Sequence, residues 1–508
     1  MSSVRSGGAG DGGAGDGEAA GHRGGDGAAA GDRTPAGNSA ATTLPCARLT
    51  ARQAIAAVAD TYSEAAVPDG RGTPSGTPSG TPSGASSAPD GPLGWRGYDD
   101  ARARARERTG EDESVVTALA TIGGRETVVL SFEFRYLGGS LGERTGDRLE
   151  AAYTHAREHG LPVVSLIATG GSRMQEGMRA LTQLQRVARQ SALNRAAGLP
   201  QLAVLRDPTT GGGWATLGAA ADVILALPGA QVGFAGSRVR PPDADPAAYT
   251  AEGQLAAGQI DAVVPPDRLR ATLQRWLQLL GTPREFHVEA VEPAPPPDAL
   301  GAPELPETGW GAVVRARAPG RPRAEAYLRA YFDDWEEISG DRCGGVDPGM
   351  RCGFGHHAGR TLAFAAQCGT ATRPAGFRTA ARLVRLADRL GIPVLTLVDT
   401  PGAANDAAAE RAGAGAAIAD TFAALATARV PVTSLLIGEG GSGGALALAA
   451  PDRLWATPDS YFSVIAPELA AAILKRDTTQ IHETADQLRI RPTDLLDLGV
   501  IRGIVPPA

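Results

Sequence analysis

The chain has 508 residues, enough for two or three domains, and its formal net charge of −7 excludes an overall electrostatic footprint for nucleic acid. The N-terminal residues lack the apolar core of a signal peptide, and no apolar run is long enough to cross a bilayer. The four cysteines form no CxxC pair, so neither a zinc ribbon nor a disulfide framework is indicated. We therefore expect a cytoplasmic protein with reduced thiols, no bound metal, and no nucleic-acid or membrane partner.

The N-terminal part of the chain favours disorder over a fold. Residues 1–46 form a Gly-rich tail, and Gly72–Gly84 is the tandem repeat "GTPSGTPSGTPSG". Such a composition buries too little apolar surface to offset the entropy that is lost on ordering. We predict a disordered tail over 1–46 and, over 47–115, an N-terminal helical extension that contains a disordered linker.

Beyond this extension the chain repeats itself. "GLPVVSLIATGGS" (Gly160–Ser172) resembles "GIPVLTLVDTPGA" (Gly391–Ala403), and in both stretches the proline stands at the same distance before a second Pro-led apolar run. One constant displacement along the sequence superimposes the two halves and places Gly212 on Gly443. Because several strand-like runs stay in register under one displacement, the repeat indicates an internal duplication.

Within each half, short apolar runs alternate with helix-like stretches. "PVVSLIA" and "QLAVLR" in the first half, like "PVLTLVD" and "PVTSLLI" in the second, are typical of parallel strands that are covered on both faces. Between them, apolar residues recur at helical spacing over 178–187 and 377–390. This alternation predicts an α/β fold with two duplicated domains, over 116–290 and 326–508, joined by a Pro-rich linker over 291–325.

Two strand-like runs lead directly into glycine-rich turns. These turns are "DPTTGGGWATLG" (Asp207–Gly218) and "GEGGSGGALAL" (Gly438–Leu448). A strand that ends in glycines and enters a helix exposes main-chain N–H groups with no side chain in front of them, which suits a negatively charged oxygen. Close helix–strand packing and a phosphate cradle are the alternatives, although no GxxxxGK[ST] pattern is present. Two oxyanion holes would suit a reaction between two carbonyl compounds that each pass through an enolate.

The motifs in combination resemble the carboxyltransferase of acetyl-CoA carboxylase, with both of its subunits fused in one chain. The motifs similar to the β subunit are "RYLGGSLG" (Arg135–Gly142), "TGGSRMQEG" (Thr169–Gly177), "DPTTGGGWA" (Asp207–Ala215) and "GFAGSRV" (Gly233–Val239). Those similar to the α subunit are "YFDDWEEISGDR" (Tyr331–Arg342), "DTPGA" (Asp399–Ala403), "IGEGGSGGALAL" (Ile437–Leu448) and "FSVIAPELAAAILKRD" (Phe462–Asp477).

The resemblance implies a crotonase-like fold, a spiral of ββα units, in each half. It also implies transfer of a carboxyl group from carboxybiotin, borne by a biotin carboxyl carrier protein, to acetyl-CoA, giving malonyl-CoA for fatty acid synthesis. The first half would bind the acyl-CoA and the second half the biotin ring. A separate biotin carboxylase would recharge the carrier, and the active sites would form between modules of different chains, in a homo-oligomer.

By the same resemblance, main-chain N–H groups hold the two enolates. The thioester set is Gly171, Ser172, Gly211 and Gly212, and the biotin set is Gly402, Ala403, Gly443 and Gly444. The substrate-binding residues that the motifs imply are Gly139, Arg173, Gly213 and Gly236. Arg173 is expected to contact the CoA phosphates, with Arg144 as the weaker candidate and a surface ion pair as the alternative for both. The internal repeat favours Gly212–Gly213 where the family motif favours Gly211–Gly212.

Other polar residues have simpler interpretations. We interpret Glu176 as complementing a helix dipole and Asp399 as a cap or turn residue. Glu439 lies in a glycine loop and is a candidate to buttress it. His356 and His357 fall in an apparent hairpin without metal-ligand spacing.

The chain also departs from the family pattern. The four-cysteine zinc ribbon that commonly opens β subunits is missing, and Cys46 stands alone at that point. In the second half, "PGAAND" replaces a turn that normally continues with Tyr-Pro-Gly. These changes lie on the biotin side. They leave open a biotin-independent decarboxylase acting on malonyl-type thioesters, or a non-catalytic subunit of a carboxylase complex.

Overall fold

The computed structural model describes residues 49–64, 90–281 and 291–508, and these residues belong to one unit, Arg48–Ala508. This unit is built around two eight-stranded sheets, one in each half of the chain. The predicted tail over 1–46, the Gly72–Gly84 repeat and Cys46 lie outside the described residues. None of the described helices is long and apolar enough to span a membrane.

The first sheet has β1 at one edge and β8 at the other. Its strands are β1 (Thr61–Ser63), β2 (Val115–Ile122), β3 (Arg125–Phe132), β4 (Val163–Thr169), β5 (Gln201–Thr210), β6 (Val223–Ala226), β7 (Val232–Gly233) and β8 (Ala262–Val263). The order is β1-β2-β3-β4-β5-β6-β8, with β7 paired to β5, and the strands are parallel from β3 onward. The helices are α1 (Ala51–Val58), α2 (Tyr98–Thr109), α3 (Glu143–His159), α4 (Gly177–Ala196), α5 (Gly211–Gly213), α6 (Ala251–Ala256) and α7 (Pro266–Leu280).

The second sheet repeats this plan, with the order β16-β14-β13-β12-β11-β10-β9 and β15 paired to β13. Its strands are β9 (Asp334–Ile338), β10 (Met350–His357), β11 (Arg360–Gln367), β12 (Val394–Thr400), β13 (Val432–Gly441), β14 (Leu454–Ala456), β15 (Tyr461–Ser463) and β16 (Gly503–Ile504). The helices are α8 (Gly309–Arg317), α9 (Ala324–Tyr331), α10 (Pro374–Leu390), α11 (Ala407–Arg411), α12 (Ala414–Thr427), α13 (Ser442–Leu446), α14 (Pro467–Ile473), α15 (Ile481–Gln487) and α16 (Pro492–Asp497).

The duplication holds residue by residue in the two central strand pairs. Between β4 and β5 the paired residues run from Val163↔Gln201 to Thr169↔Thr209. Between β12 and β13 they run from Val394↔Val432 to Thr400↔Gly440, which is the same register under the displacement that the sequence repeat defines. Both pairs carry a register irregularity just before the last match. The predicted duplication and the α/β class are therefore confirmed.

The two predicted amphipathic helices differ in what they bury. In α10 the predicted apolar stripe is buried throughout, because this helix packs on its own sheet and on α12. In α4, Val187 is buried, whereas Met178 is 67% exposed and Leu181 is 46% exposed. The apolar stripe of α4 therefore continues beyond the core onto the protein surface near the start of the helix.

The structure places ordered, packed chain within the segment predicted to be a Pro-rich linker. Ala294 and Ala299 are buried in the core of the second half, and Ala299 forms a bridge with Pro507. Helix α8 begins after Thr308, whose side chain accepts a hydrogen bond from the Gly311 N–H. Pro-rich sequence lacks periodicity but still supplies apolar surface, and here that surface is covered by the second half.

Asp261 joins the two halves. This buried carboxylate of the first half accepts hydrogen bonds from the Ser339 N–H (2.9 Å) and from the Arg382 guanidinium (3.1 Å), and it pairs with Arg342. Burial by itself raises the pKa of Asp261, but the charges of Arg342 and Arg382 outweigh burial and hold the pKa below its usual value. One carboxylate thus neutralises two cations of the other half.

Replacing Asp261 with Asn should destabilise the protein by about 3–5 kcal/mol, because a buried carboxylate is lost and two mostly buried arginines lose their shared counter-charge. The measurement is the midpoint of urea unfolding, with Asp243→Asn at an exposed position as the matched control. Equal midpoints for the two variants would contradict the role assigned to Asp261.

Candidate active site

In the first half, two neighbouring strands end at glycine corners that touch each other. After β4 the chain turns at Gly171 (φ +110°), and after β5 it turns at Gly211 (φ +63°). Both angles lie in the left-handed region that glycine adopts without steric cost. A Cβ atom added to Gly211 would lie 3.0 Å from the Gly171 Cα. Side chains would separate the corners, so the sequence needs glycine at both.

The second half also brings its two turns together, through a residue pair that is not equivalent to Gly211 and Gly171. Gly402 (φ +140°) follows β12, and a Cβ on Gly444 would lie 2.3 Å from the Ala403 nitrogen. Ser442 takes a left-handed conformation (φ +55°) at the position equivalent to Gly211. Since each turn residue is followed by a short helix, the first amides beyond the turn are those of Gly212 and Gly443.

In the first half, the hydrogen bonds around the turn after β4 leave one amide without an acceptor. The Gly171 N–H donates to Thr169 Oγ1 (3.0 Å) and the Arg173 N–H to the Leu141 carbonyl (2.8 Å). The N–H of Ser172, between them, has no acceptor among the described residues.

The equivalent bonds recur in the second half. The Gly402 N–H donates to Thr400 Oγ1 (3.1 Å) and the Ala404 N–H to the Thr372 carbonyl (2.8 Å). Within the described part of the chain, the Ala403 N–H has no acceptor either. Ser172 and Ala403 are equivalent positions of the internal repeat, so the duplication preserves the unpaired donor itself.

The short helices at the ends of β5 and β13 supply further free donors. The first N–H groups of a helix have no partner within it. The Gly211 N–H is taken by the Phe234 carbonyl (3.1 Å), but those of Gly212, Gly443 and Gly444 find no acceptor in the ranges that the structure describes. Of the eight predicted donors, the N–H groups of Gly171, Gly211 and Gly402 are therefore engaged in holding the corners.

Arg173 lies in a buried network and not at a phosphate site. Its side chain is 1% exposed and its guanidinium pairs with Glu113 (3.0 Å) and Glu176 (3.1 Å). It also donates to the Ser140 carbonyl (2.8 Å). The expectation that Arg173 contacts the CoA phosphates is corrected: its donors are used inside the protein, and its ion pairs are buried rather than at the surface. Arg144 lies within 4.0 Å of Asp147 in α3.

The carboxylates singled out in the sequence have structural partners. Glu176 accepts a hydrogen bond from the Glu143 N–H (2.6 Å), so it complements the start of α3, a different helix from the one that follows it in the chain. Asp399, fully buried at the end of β12, pairs with Arg321 (2.5 Å). Burial raises the pKa of Asp399, and the bond from Arg321 works against that rise.

Two arginines that were missed in the sequence hold the glycine turns after β12 and β13, which are together called the second corner. Arg321 pairs with Asp399, and Arg317 pairs with Glu439 (2.7 Å). Both arginines lie in the segment that was predicted to be a linker, where no periodicity drew attention to them. The remaining signal was the pair of carboxylates at the ends of two buried strands, because buried charges are paired.

The remaining predicted glycines lie around the glycine turns after β4 and β5, which are together called the first corner, and they allow close packing. A Cβ on Gly139 (φ +63°) would lie 2.1 Å from the Ala168 carbonyl oxygen. A Cβ on Gly213 would lie 2.3 Å from Thr169 Cγ2, and one on Gly236 would lie 3.6 Å from Thr210 Oγ1.

The two adjacent histidines have local partners in a hairpin between β10 and β11, as the sequence indicated. The His356 Nδ1 lies 2.9 Å from an Asp334 carboxylate oxygen, and the ring of His357 stacks on Tyr331. Over 49–64, 90–281 and 291–508, no group of three or more His, Cys, Asp or Glu side chains is arranged to hold a metal ion.

Large apolar side chains are exposed around both corners. Near the first corner these are Met174, Met178, Leu181 and Phe234, and near the second they are Leu446, Val464, Leu469 and Ile473. None of the five principal cavities of the described chain is lined by a corner residue. The cleft between the halves, about 640 Å³, is lined instead by arginines and aspartates such as Arg382 and Asp222. These cavities therefore do not include the glycine corners.

Comparison with known proteins identifies the fold family to which this architecture belongs. A carboxyl transferase domain model matches residues 93–286, and an acetyl co-enzyme A carboxylase carboxyltransferase-like model matches residues 307–508. A solved transcarboxylase 12S structure with hydrolysed methylmalonyl-coenzyme A superimposes with a TM-score of 0.71 at 22% identity, covering 90% of this chain and 87% of that one. The fold is that of the carboxyltransferases, with two crotonase-like domains.

Curated relatives narrow the class. The acetyl-coenzyme A carboxylase carboxyl transferase subunits beta/alpha of Salinispora arenicola are 41% identical over 433 residues, 80% of this chain and 76% of that protein. A probable biotin-dependent acyl-coenzyme A carboxylase beta3 subunit of Mycobacterium tuberculosis is 37% identical, over 80% of this chain and 83% of that protein. The chain belongs to the family of fused beta/alpha carboxyl transferase subunits of acetyl-coenzyme A carboxylase. It is an enzyme of a biotin-dependent family in which carboxybiotin is the carboxyl donor.

Gly444→Ala tests the contact between the corners of the second half. The added methyl would lie 2.3 Å from the Ala403 nitrogen, so the corners must separate and the free amides lose their alignment. We expect the carboxyl-transfer rate to fall about 10²-fold or more, as when one oxyanion donor is lost. Gly415→Ala, which meets no atom within 4 Å, is the matched control. A Gly444→Ala variant with the control's rate would rule out the amides at this contact.

The buried Arg173 network predicts an acid-sensitive stability. Burial alone raises the pKa of Glu113, but the charge and hydrogen bonds of Arg173 outweigh it and hold the pKa below its usual value of 4.5. A depressed pKa stabilises the fold above the unfolded-state value, and this stability is lost as the pH falls through the folded-state pKa. Glu113→Gln should therefore unfold at lower urea concentration at neutral pH, with a smaller further loss at about pH 4. Parallel pH profiles of both proteins would contradict this.

Proposed function

We propose that the chain is the carboxyltransferase component of an acetyl-CoA carboxylase, which moves the carboxyl group of carboxybiotin to acetyl-CoA and gives malonyl-CoA for fatty acid synthesis. The observation that carries this proposal is a pair of amides, Ser172 and Ala403, that find no acceptor among the described residues and lie at equivalent positions of the duplicated core. Two donors of identical construction suit two substrates that each develop negative charge on a carbonyl oxygen.

In the first half, the N–H groups of Ser172 and Gly212 would bind the thioester oxygen of acetyl-CoA. That oxygen gains charge as the methyl carbon loses its proton, and the new C–C bond then forms to the transferred carbon. The corners are main-chain groups held by their own hydrogen bonds, so little reorganisation is needed as the charge develops. One such donor lowers a barrier by roughly 3–4 kcal/mol.

In the second half, the corner amides would bind the ureido ring of carboxybiotin. A Cβ on Gly443 would meet no atom within 4 Å, so the described chain leaves space beside this residue. When bound, carboxybiotin supplies the carboxyl group as CO2, and its ureido nitrogen can accept the methyl proton. The N–H groups of Ala403 and Gly443 would bind the ureido oxygen and stabilise the negative charge that develops there.

The departures from the family sequence in the second half leave the main-chain donors unchanged. "PGAAND" changes side chains beyond the corner, whereas the Ala403 N–H and the bonds that flank it match those around Ser172. Main-chain donors persist through side-chain substitution as long as the backbone path is kept. This favours retained use of carboxybiotin over a biotin-independent decarboxylase.

We further propose that the enzyme works as a homo-oligomer in which the first corner of one chain faces the second corner of another. Exposed apolar side chains surround both corners, among them Met178 at the first and Ile473 at the second. Contiguous exposed apolar surface on a folded protein marks an interaction site. The carrier protein and the biotin carboxylase are the other partners that this function requires.

The reverse reaction tests the proposal. The purified chain, given malonyl-CoA with free biotin or a biotinylated carrier, should release acetyl-CoA only when biotin is present. Release without biotin would identify a decarboxylase, and bound CoA without release would identify a non-catalytic subunit. Static light scattering on the same sample reports the oligomeric state, and a monomer with full activity would contradict the inter-chain site.

A further inference from the structure

Helix α8 and the residues that follow it bring two arginines beneath the second corner. We propose that Arg317 is a positioning residue for the carboxybiotin side of the reaction, and this inference rests on the proposed function above. Arg317 touches neither corner amide; it acts through the elements that carry them. Arg321 completes the arrangement from the same segment.

One guanidinium joins three elements that diverge from the corner. Arg317 Nε donates to Glu439 Oε2 (2.7 Å), and Arg317 Nη2 donates to the Tyr461 hydroxyl (3.2 Å). Arg317 Nη1 donates to Glu468 in the first turn of α14. The Tyr461 hydroxyl in turn donates to Glu439 Oε2 (2.8 Å). The planar fork of arginine suits several fixed acceptors at once, which a lysine ammonium cannot match.

These contacts lie next to the free amides along the chain. Glu439 is on β13, two residues before Gly441, where the strand ends. Tyr461 is on β15, which pairs with this last stretch of β13. Glu468 fixes the start of α14, the helix whose exposed Leu469 and Ile473 flank the corner. A shift of any of these elements would change the space in front of the second corner.

Arg321 ties the neighbouring strand to the same network. It pairs with Asp399 at the end of β12, three residues before Gly402. The Asp399 carboxylate also accepts the Glu439 N–H (3.1 Å), so the ends of β12 and β13 are cross-linked through one oxygen. The spacing between the Ala403 donor and the amides that follow β13 is therefore set by buried charge as well as by the sheet ladder.

The arrangement is confined to the second half. The displacement that relates the two halves carries Glu439 onto Pro208 and Asp399 onto Ala168, so neither carboxylate exists in the first half. The first corner is held by a different cation, Arg173. Because the two halves differ here while their corners match, the Arg317 network belongs to what the second half alone binds.

Arg317, whose side chain is 34% exposed, supplies the counter-charge of two carboxylates. Burial would lower the pKa of Arg317, but its hydrogen bonds to Glu468 and Glu439 outweigh burial and raise it. Without the guanidinium, these two carboxylates would face each other without a counter-charge. Like charges at such separation repel, and the start of α14 would move away from β13.

The experiment compares Arg317→Met with Arg315→Met in the reverse reaction. Arg315 lies on the same helix and donates only to the Glu304 carbonyl among the described residues, so its variant is the matched control. For Arg317→Met, kcat/KM for biotin should fall by about tenfold, the change that a lost charge-assisted hydrogen bond produces. The KM for malonyl-CoA should stay within about twofold of the control, because the acyl-CoA corner is untouched. Arg317→Lys, which keeps the charge but not the fork, should recover only part of the loss.

The outcomes separate this inference from the proposed function. If the unmodified chain releases no acetyl-CoA in response to biotin, the proposed function fails. If it does, and Arg317→Met equals the control or raises both KM values alike, the positioning role is overturned while the function stands. Should Arg317→Met not fold, as judged by circular dichroism, Glu468→Gln decides. A selective loss for biotin supports the proposal, and unchanged kinetics overturn it.

Discussion

The structure depends on backbone-to-backbone contact between the ends of adjacent parallel strands. In both halves, neighbouring strands finish at turns that approach within van der Waals distance. At the turns after β4 and β12, local hydrogen bonds among the described residues engage every main-chain N–H group but one. Parallel strands bring their carboxyl ends to the same edge of a sheet, so the remaining donors gather there. An unpaired N–H beside a helix start is an unfavourable group in a folded protein unless something binds it. We propose that this occupant is an oxygen that gains charge during the reaction.

Around this shared geometry, the two halves are stabilised by different charges. Arg173, Glu113 and Glu176 form the buried network of the first half, with the Tyr98 hydroxyl bonded to Glu176. The second half uses Arg317 and Arg321. In each case a segment outside the duplicated strand pairs supplies part of the network: α2 for the first half and α8 for the second. The pairs of Arg173 and Arg321 are costly to break because they are buried, and they fix strand ends that the ladder alone would leave to fray.

Much of this could be read from the amino-acid sequence. The single displacement that relates the two halves reappears as identical strand registers, and the glycine-rich turns lie where the strands end. The sequence failed where the environment of a side chain mattered. Arg173 follows a corner motif and was expected to contact phosphate, yet folding surrounds it with two carboxylates. Arg317 and Arg321 lie in Pro-rich chain without periodicity, and their carboxylate acceptors are 78 to 151 residues away in sequence.

By itself, the sequence determined the duplication, the α/β alternation, the family and the positions of the glycine corners. These depend on local features: apolar period, turn residues, and backbone angles that only a few residue types tolerate. Tertiary structure alone decided which amides remain unpaired and which arginines hold the corners. Those outcomes depend on distances between residues remote in sequence, and on the burial that makes an ion pair obligatory. No local pattern encodes either quantity.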